Sequence, residues 1–298
     1  MLGFSAVGEP LTDGAAHAEK LGWRLGVQAY CFNKIDFLSM VDRLERIGVR
    51  YVEAYPGQMI GGEFAKVRFD QNMPAEARAA MKARLADAGV TLVNIGVVPL
   101  PNDEAKCRDV FEFAKEMGVD TIVSEPPVEA LPLIDKLCAE YGIDVAIHNH
   151  PEPSAYWNPE TVMAAIEDRS ERIGVCADTS HWMRSGVDVL AWLKRFEGRL
   201  KCFHFGDVQP EALRAFEEKM AVEGVTPSMV AHIREVPNAV YGQGAGDMRA
   251  WLEELHRQRV EALFCVEAFF ELEADVTEEK IVECVRWFDG VAQELGGE

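Results

Sequence analysis

Hydrophobic and polar residues along this chain switch repeatedly between two spacings. Short runs rich in β-branched residues, such as 51–55 and 172–178, are typical of buried strands. These runs are followed by segments with apolar residues at helical spacing. The segment 36–48, for example, ends at Gly48, a residue that commonly closes helices. The pattern therefore predicts a chain in which strands and helices alternate.

Eight strand–helix units are predicted in this way. The strands are predicted at 23–30, 51–55, 90–98, 120–125, 144–150, 172–178, 200–205 and 261–270. Strands that alternate with helices pair in parallel, because each return crossover needs a helix. Eight units in 298 residues favour an α/β fold of the closed (β/α)8 barrel type over an open doubly wound sheet. The glycine-rich turn typical of dinucleotide-binding open sheets does not follow the first strand.

The spacing of the units also predicts the domain organisation. We expect residues 1–20 to form an N-terminal tail and residues 21–298 to form a single barrel domain. Residues 207–246 after the seventh strand are too many for an ordinary loop. Because long loops after barrel strands lie over the active-site face, we expect this segment to cover the substrate.

Composition excludes several classes of partner. Acidic residues outnumber basic ones by 50 to 30, and a net charge of -20 disfavours nucleic acid and anionic membranes. We find no apolar run near the roughly 18 residues of a membrane span. Seven cysteines without CxxC spacing favour a reducing compartment, so we expect a cytoplasmic protein. The N-terminal segment does not resemble a signal peptide, although a leader already removed would leave export open.

Residues able to bind a metal ion end most of the predicted strands. They are Glu53, Glu125, His148, His150, Asp178, His204 and Glu267. The C-terminal ends of barrel strands point into one site, and strand parity places Asp178 on the face of Cys176. Taken singly, such residues usually cap helices or pack in the core. Together, several converging carboxylates would repel one another, and a divalent cation would relieve that repulsion.

The sequence predicts a metal site formed by Glu125, Asp178, His204 and Glu267. Three carboxylates and one imidazole favour Mn²⁺ or Mg²⁺, with Co²⁺ or Zn²⁺ as alternatives. The ion would polarise a substrate carbonyl and stabilise the enolate formed when the adjacent carbon loses a proton. A nearby carboxylate or imidazole would be the base.

These motifs match a known family as an ordered set. The segments 124–126 (SEP), 148–150 (HNH), 176–182 (CADTSHW), 204–207 (HFGD), 242–247 (GQGAGD) and 265–270 (CVEAFF) together resemble the xylose isomerase-like TIM-barrel superfamily. The resemblance extends from about residue 21 onward. That superfamily contains sugar isomerases, epimerases, inosose dehydratases and zinc-dependent apurinic endonucleases. The resemblance implies Asp178, His204 and Glu267 as metal ligands, with His181 close by.

Two positions depart from the pattern of the epimerases in this superfamily. They usually carry a metal-binding Glu at the end of strand 5, where this chain has His148 and His150. The carboxylate is instead Glu125 on strand 4, an arrangement that resembles inosose dehydratases and lyases that cleave 3-keto-glycosides. Gly206 stands where many relatives have Lys. The endonuclease branch fits poorly, because its extra histidines are missing and the chain is strongly acidic.

The first hypothesis is therefore a metal-dependent sugar isomerase or epimerase acting on a small carbohydrate. We predict Glu125, Glu267 and His150 as catalytic residues, and His148, His181, Asp207 and Glu53 as substrate-binding residues. A lyase or dehydratase that uses the same metal site is the alternative. A non-catalytic carbohydrate-binding barrel is a further one. The sequence leaves open the sugar, its phosphorylation and homo-oligomerisation, with Arg184 and Arg234 as candidates to bind an anionic group.

Overall fold

The computed structural model of the protein describes residues 9–223 and 235–297. Its barrel strands are β1 (Trp23–Gln28), β2 (Tyr51–Ala54), β3 (Thr91–Ile95), β4 (Thr121–Ser124), β5 (Asp144–His148), β6 (Ile173–Asp178), β7 (Leu200–Phe205) and β8 (Ala262–Val266). They close in the order β1-β8-β7-β6-β5-β4-β3-β2, and every pair in the ring is parallel. The predicted (β/α)8 barrel is confirmed, and each strand lies inside its predicted range.

Helices follow the strands and cover the outside of the barrel. They are α1 (Ala16–Lys20), α2 (Phe37–Ile47), α3 (Ala75–Asp87), α4 (Glu104–Met117), α5 (Leu131–Tyr141), α6 (Pro159–Ile166), α7 (Thr179–Arg184), α8 (Val189–Arg195), α9 (Pro210–Glu223), α10 (Met248–Arg257) and α11 (Ala274–Gly296), with single 3₁₀ turns at Ala29–Phe32 and Val128–Ala130. In α2, the Asp36 side chain accepts the Ser39 amide and Gly48 closes the helix at φ 96°. In the described part of the chain, no helix has the length and apolarity needed to cross a membrane.

Two separate apolar layers stabilise the barrel. The outer layer fills the space between strands and helices, where the rings of Trp23, Phe264 and Phe288 pack together. The inner layer lies inside the barrel and consists of Val93, Val123, Ala146, Cys176, Cys202, Leu263 and Cys265. Small side chains suit this crowded interior, and they form the floor below the strand ends.

The segments outside the eight units also pack on the barrel. In the predicted tail, the Leu11 amide donates to the Arg46 carbonyl, and Ala18 of α1 is fully buried. The excursion 207–246 begins with α9 and a short antiparallel pair formed by Asp207–Val208 and Asn238–Ala239. Residues 1–8 of the tail and 224–234 of the excursion lie outside the described residues, as does residue 298.

All seven cysteines are unpaired and buried. Burial raises the pKa of Cys138 to about 12, and it does the same for Cys284. Thiols with such high pKa values remain protonated at neutral pH and react slowly. The cysteines therefore act as small apolar core residues, in accord with the unpatterned spacing in the sequence.

Candidate metal and substrate site

The predicted metal-capable residues meet at one mouth of the barrel. Glu53, His148, Asp178 and His204 lie on β2, β5, β6 and β7, whereas Glu125 and Glu267 follow the last residues of β4 and β8. The strand register aligns them, because Asp178 pairs with His204 and His204 pairs with Cys265, two residues before Glu267. Parallel strands in register therefore bring these side chains to nearly the same level.

Four of these residues form a compact group that we call the mouth cluster. It consists of His148, Asp178, His204 and Glu267, each with one potential ligand atom within 4.8 Å of the others. His148 Nε2, His204 Nδ1 and Glu267 Oε2 are buried without a hydrogen-bond partner in the described structure. His204 Nδ1 and Glu267 Oε2 lie 2.5 Å apart, but their geometry is not that of a hydrogen bond. Buried polar atoms that converge without partners fit a shared metal ion.

A second group of three histidines could also offer ligand atoms. It contains His148, His150 and His181, whose nitrogen atoms again lie within 4.8 Å of one another. This group includes no carboxylate, so it would not neutralise the charge of a divalent ion. The mouth cluster supplies two carboxylates and two imidazoles, and we regard it as the better candidate.

Asp178 is held in place by the start of the helix that follows it. Its Oδ1 accepts the His181 amide at 2.7 Å and the Ser180 hydroxyl at 2.8 Å, so it caps α7. The Asn149 side chain bonds both the amide and the carbonyl of Asp178, at 2.9 and 3.0 Å. Oδ2 faces His148 Nε2 at 3.6 Å and His181 Nε2 at 3.4 Å. The helix cap thus leaves one oxygen directed at the mouth cluster.

The His204 ring connects the mouth cluster to Glu53. Its Nε2 lies 2.7 Å from Glu53 Oε1, which leaves Nδ1 for the cluster. Glu53 is fully buried and also accepts hydrogen bonds from Gln28 and Asn94. A Cβ at Gly96 would approach Glu53 Oε1 to 2.9 Å and Val123 to 2.4 Å, so this position requires glycine. We expected Glu53 to bind substrate, but its carboxylate is taken up by these neighbours.

Glu125 lies behind His148 and not in the mouth cluster. Its Oε1 is 3.2 Å from His148 Nδ1, and it also contacts His150 Nδ1 in a short hydrogen bond. Oε2 accepts the Ser154 hydroxyl at 2.6 Å. The His148 ring, and not Glu125, therefore reaches the mouth cluster, and Glu125 contacts that ring from the far side.

Electrostatics at this mouth favour added positive charge. Burial alone would lower the pKa of His204, but the charges of Glu267 and Glu53 raise it well above its ordinary value. Burial is likewise outweighed at His148, where Asp178 and Glu125 raise the pKa to about 9. For Asp178, burial would raise the pKa, but the neighbouring histidines lower it below its ordinary value. Without a metal, the lowered pKa values keep Glu125, Asp178 and Glu267 ionised, and these charges favour the protonated rings of His148 and His204.

A cavity of about 400 Å³, which we call the mouth cavity, opens above the mouth cluster. Asp178 and Glu267 are in its wall, with His150 and His181 beside them. Its aromatic wall contains Tyr30, Tyr55 and Phe270, and the Tyr30 ring centroid lies 5.1 Å from Tyr55 and 5.4 Å from Phe270. A volume of this size that combines aromatic faces with converging polar side chains is typical of a small-molecule site.

Asp207 has a different place from the one predicted. Its carboxylate is buried and accepts the backbone amides of Val208, Gly244 and Gly246 at 2.9 to 3.0 Å. A Cβ at Gly244 would come within 2.2 Å of this carboxylate, so the glycine-rich segment folds closely around it. Asp207 does not line the mouth cavity. Its acceptor oxygens hold the loop, and the predicted contact with substrate has no support from this geometry.

His181 and Arg184 form one side of the mouth cavity. Burial lowers the pKa of His181 to about 3, so the ring is neutral at physiological pH. The Arg184 guanidinium is buried, donates to the Val236 carbonyl at 3.0 and 3.1 Å and reaches the Ser180 hydroxyl at 2.9 Å. Arg234, the other candidate for an anionic group, lies outside the described residues.

Several supporting residues were not identified from the sequence. Gln28, Asn94, Ser154 and Asn149 fix the functional side chains, and Tyr30 lines the cavity. All five follow or end predicted strands, or lie inside them. Their uncharged side chains gave no charge pattern that would distinguish them from ordinary turn or strand residues.

Comparison with known proteins shows which proteins this chain resembles. A stretch of 142 residues is 28% identical to an inosose dehydratase of Geobacillus thermodenitrificans (strain NG80-2). It covers 47% of this chain and 45% of that enzyme, so the match spans less than half of the relative.

Solved structures extend the likeness in fold over most of the chain. The D-psicose 3-epimerase of Clostridium cellulolyticum H10 is 12% identical with a TM-score of 0.65, covering 91% of this chain and 99% of that one. The IolI protein with a bound zinc atom is 14% identical with a TM-score of 0.64, covering 91% and 98%. The family described as "Xylose isomerase-like TIM barrel" matches residues 41–289. The resemblance noted in the sequence is thereby confirmed, and the chain belongs to the xylose isomerase-like TIM-barrel family.

Proposed function

We propose that this protein is a divalent-metal-dependent enzyme that removes a proton next to the carbonyl of a small carbohydrate, giving isomerisation or epimerisation. The observation that carries the proposal is the mouth cluster. Two imidazoles and two carboxylates converge there, and three of their ligand atoms are buried without hydrogen-bond partners. The names of the related proteins, an epimerase and a dehydratase, support chemistry at a carbon beside a carbonyl or hydroxyl.

The ligands that we propose are His148, Asp178, His204 and Glu267. This set keeps three of the residues expected from the sequence and replaces Glu125 by His148. Two nitrogen donors favour Mn²⁺, Co²⁺ or Zn²⁺ over Mg²⁺, which prefers oxygen. When bound, the ion would supply Lewis-acid polarisation of a substrate carbonyl.

Two residues on the wall of the mouth cavity are suited to move protons. Glu267 borders the cavity, and its pKa is kept below the ordinary value because the charge of His204 outweighs burial. His150 borders it too, and its Nδ1 is engaged by Glu125, which leaves Nε2 for a substrate atom. A carboxylate base and an oriented imidazole in the same cavity are the two proton-transfer groups that an epimerisation needs.

The remaining walls suit an uncharged sugar. Tyr30, Tyr55 and Phe270 offer aromatic faces, against which the C–H face of a sugar ring can pack. Asn238 also lines the cavity, and its side-chain nitrogen, which donates one N–H to the Asp207 carbonyl, has a second N–H for a sugar hydroxyl. Among the described residues that line the cavity, Arg184 is the only Lys or Arg, and its N–H groups already bond to Val236, Ser180 and Asn238. We therefore propose a sugar without a phosphate group.

Elimination is a second candidate reaction, and the contact between His150 and Glu125 favours it. An imidazole oriented by a carboxylate can protonate an oxygen that leaves from the β-carbon. The substrate would then be a keto-inositol or a 3-keto-glycoside. The same proton abstraction begins both reactions.

Proton exchange in D₂O separates these proposals. Metal-loaded protein would be incubated with ketoses, a keto-inositol and 3-keto-glycosides, and followed by NMR. We expect deuterium to enter next to the carbonyl of one of these sugars. An epimer would identify the isomerase, whereas an enone or a released aglycone would identify the lyase. A metal-loaded protein that binds sugar without any exchange would contradict both and support a binding barrel.

A further inference from the structure

A second cavity lies directly beside the mouth cavity. It measures about 430 Å³, and Arg184, Asn238 and Phe270 belong to the walls of both. A sugar ring held at the mouth cluster would therefore have a neighbouring space at its side. The volume of each cavity falls in the lower part of the roughly 300–1,000 Å³ range of ligand sites. The two volumes together are larger than a single sugar ring would occupy.

The second cavity differs from the mouth cavity in chemistry. Phe269, Phe270, Val240 and Leu272 form an apolar wall, and no histidine is among the described lining residues. Polar residues also line this cavity and include Gln209, Glu211, Glu271 and Lys280. Phe269 and Val240 are buried, whereas Leu272 is 38% exposed although it is apolar. Such a wall favours the apolar face of a bound group and provides no proton-transfer or metal chemistry.

The shared wall contains a positive charge. Arg184 donates to the carbonyl of Val236, to the hydroxyl of Ser180 and to Asn238 Oδ1, all of which are uncharged acceptors. The guanidinium is thus fixed at the junction of the two cavities, where the carboxylates of Asp178 and Glu267 also act on its charge. An electron-rich oxygen that links two parts of a ligand would be favoured at this point.

We propose that the second cavity is a subsite for a planar, mainly apolar group joined through oxygen to the sugar at the metal. The ligand of this protein is then a keto-glycoside with an aryl-type aglycone, which keeps the carbonyl that the proposed function requires. This proposal rests on the proposed function and specifies its substrate class. The sugar occupies the mouth cavity, the linking oxygen lies near Arg184, and the aglycone packs on Phe269 and Leu272.

Paired probes test this subsite. Phenyl and methyl β-D-glycosides of glucose, galactose, mannose and xylose would be titrated calorimetrically into metal-loaded protein. We expect the phenyl glycoside of at least one sugar to bind about tenfold more tightly than its methyl partner, because only the phenyl ring reaches the apolar wall. Equal affinity within every pair, or no binding of any probe by protein that holds its metal, would overturn the subsite.

A pair of tryptophan variants locates the effect. Gln243 is exposed and lines only the second cavity, so Gln243→Trp would fill that space. Val222 is 86% exposed on α9 and lines neither cavity, which makes Val222→Trp the matched control. We expect the phenyl-to-methyl preference to disappear in Gln243→Trp and to persist in Val222→Trp. A preference that survives Gln243→Trp would place the phenyl ring elsewhere and refute the proposal.

The metal content of each preparation separates the two levels of inference. A wild-type protein that binds no divalent ion contradicts the proposed function itself. A protein that binds one ion and shows no phenyl preference contradicts only the second subsite.

Discussion

Each of the two histidines of the mouth cluster pairs with a carboxylate outside the cluster, and the two pairs differ in their access to solvent. His204 with Glu53 is sealed, since the side chains are 1% and 0% exposed. His148 with Glu125 is open on one side, because Glu125 is 20% exposed and contacts His150, which is 46% exposed. In both pairs the carboxylate orients the ring and directs its other nitrogen to the cluster.

The difference indicates a division of roles between the two sides. Among the residues that the structure describes, the further partners of Glu53 are the amides of Gln28 and Asn94, so its carboxylate belongs to a fixed hydrogen-bond network. Glu125 shares its oxygens among His148, His150 and Ser154, and His150 faces the mouth cavity. We expect the sealed pair to determine metal affinity and the open pair to determine proton transfer. Four substitutions, ranked by their effect on metal affinity, test this comparison.

The largest effect is expected for Asp178→Asn, because Asp178 is itself a proposed metal ligand and belongs to neither pair. We expect metal affinity to fall by more than the ~100-fold upper range of outer-shell changes. Asparagine still caps a helix, so the barrel should remain folded. Asp188→Asn is a matched control, since Asp188 caps α8 through Ala191 and lies away from the mouth. Metal titration and circular dichroism measure both, and full metal binding by Asp178→Asn would show that the cluster is wrongly assigned.

The next effect is expected for Glu53→Gln on the sealed side. We expect about 10- to 100-fold weaker metal binding, because His204 loses its anionic partner. The side-chain nitrogen of the new glutamine would also face the side-chain nitrogen of Asn94, and two donors cannot bond to each other. The free energy of unfolding should therefore fall by about 1–3 kcal/mol.

Glu278→Gln controls for the loss of a buried carboxylate elsewhere. Glu278 pairs with Arg43 and Arg46, at 2.6 and 2.5 Å. We expect it to lower stability in urea denaturation without changing metal affinity. Equal metal affinities for Glu53→Gln and Glu278→Gln would remove the role assigned to the sealed pair.

A smaller effect on the metal is expected for Glu125→Gln on the open side. Water and Ser154 can still solvate a glutamine there, so we expect at most about a tenfold loss of metal affinity. The rate of deuterium exchange should fall more than the affinity does, because His150 loses its orienting charge. If Glu125→Gln and Glu53→Gln weaken metal binding equally, the two sides do not differ as described.

The smallest effect on metal binding is expected for His150→Gln. We expect the affinity to stay within about twofold, because His150 bonds to Glu125 and not to the mouth cluster. Exchange should slow by about 100-fold or more, as for loss of a general acid or base. A variant that loses its metal as well would support the three-histidine group as the binding site instead.

The sequence was sufficient for the barrel and for the level at which its functional residues meet. Strand–helix alternation and strand parity depend on local spacing, so Asp178, His204 and Glu267 were placed at the same mouth. It could not decide between Glu125 and His148. Ser124 pairs with Ile147, so Glu125 and His148 come next on adjacent strands. Their side-chain torsions decide which reaches the cluster, and sequence spacing does not determine torsions.

Irregular backbone explains the other differences. A register shift between Val52 and Glu53 brings Asn94 beside Glu53. Strand parity predicts the face on which a residue lies only where no such bulge interrupts the strand. Asp207 accepts the amides of Gly244 and Gly246 because the glycine-rich loop closes back on it, a contact between residues more than 30 positions apart. Long-range closures of this kind have no signature in local hydrophobic spacing.

The buried cysteines have a practical consequence. Because all seven thiols are shielded in the folded barrel, a thiol-reactive fluorophore should label the native protein slowly and the opened protein at many sites. Labelling rates with and without a divalent ion would then report how strongly the ion holds the barrel closed. Labelling of the buried thiols thus reports unfolding of the native chain. A cysteine introduced at an exposed position would, by contrast, be labelled rapidly in the folded protein.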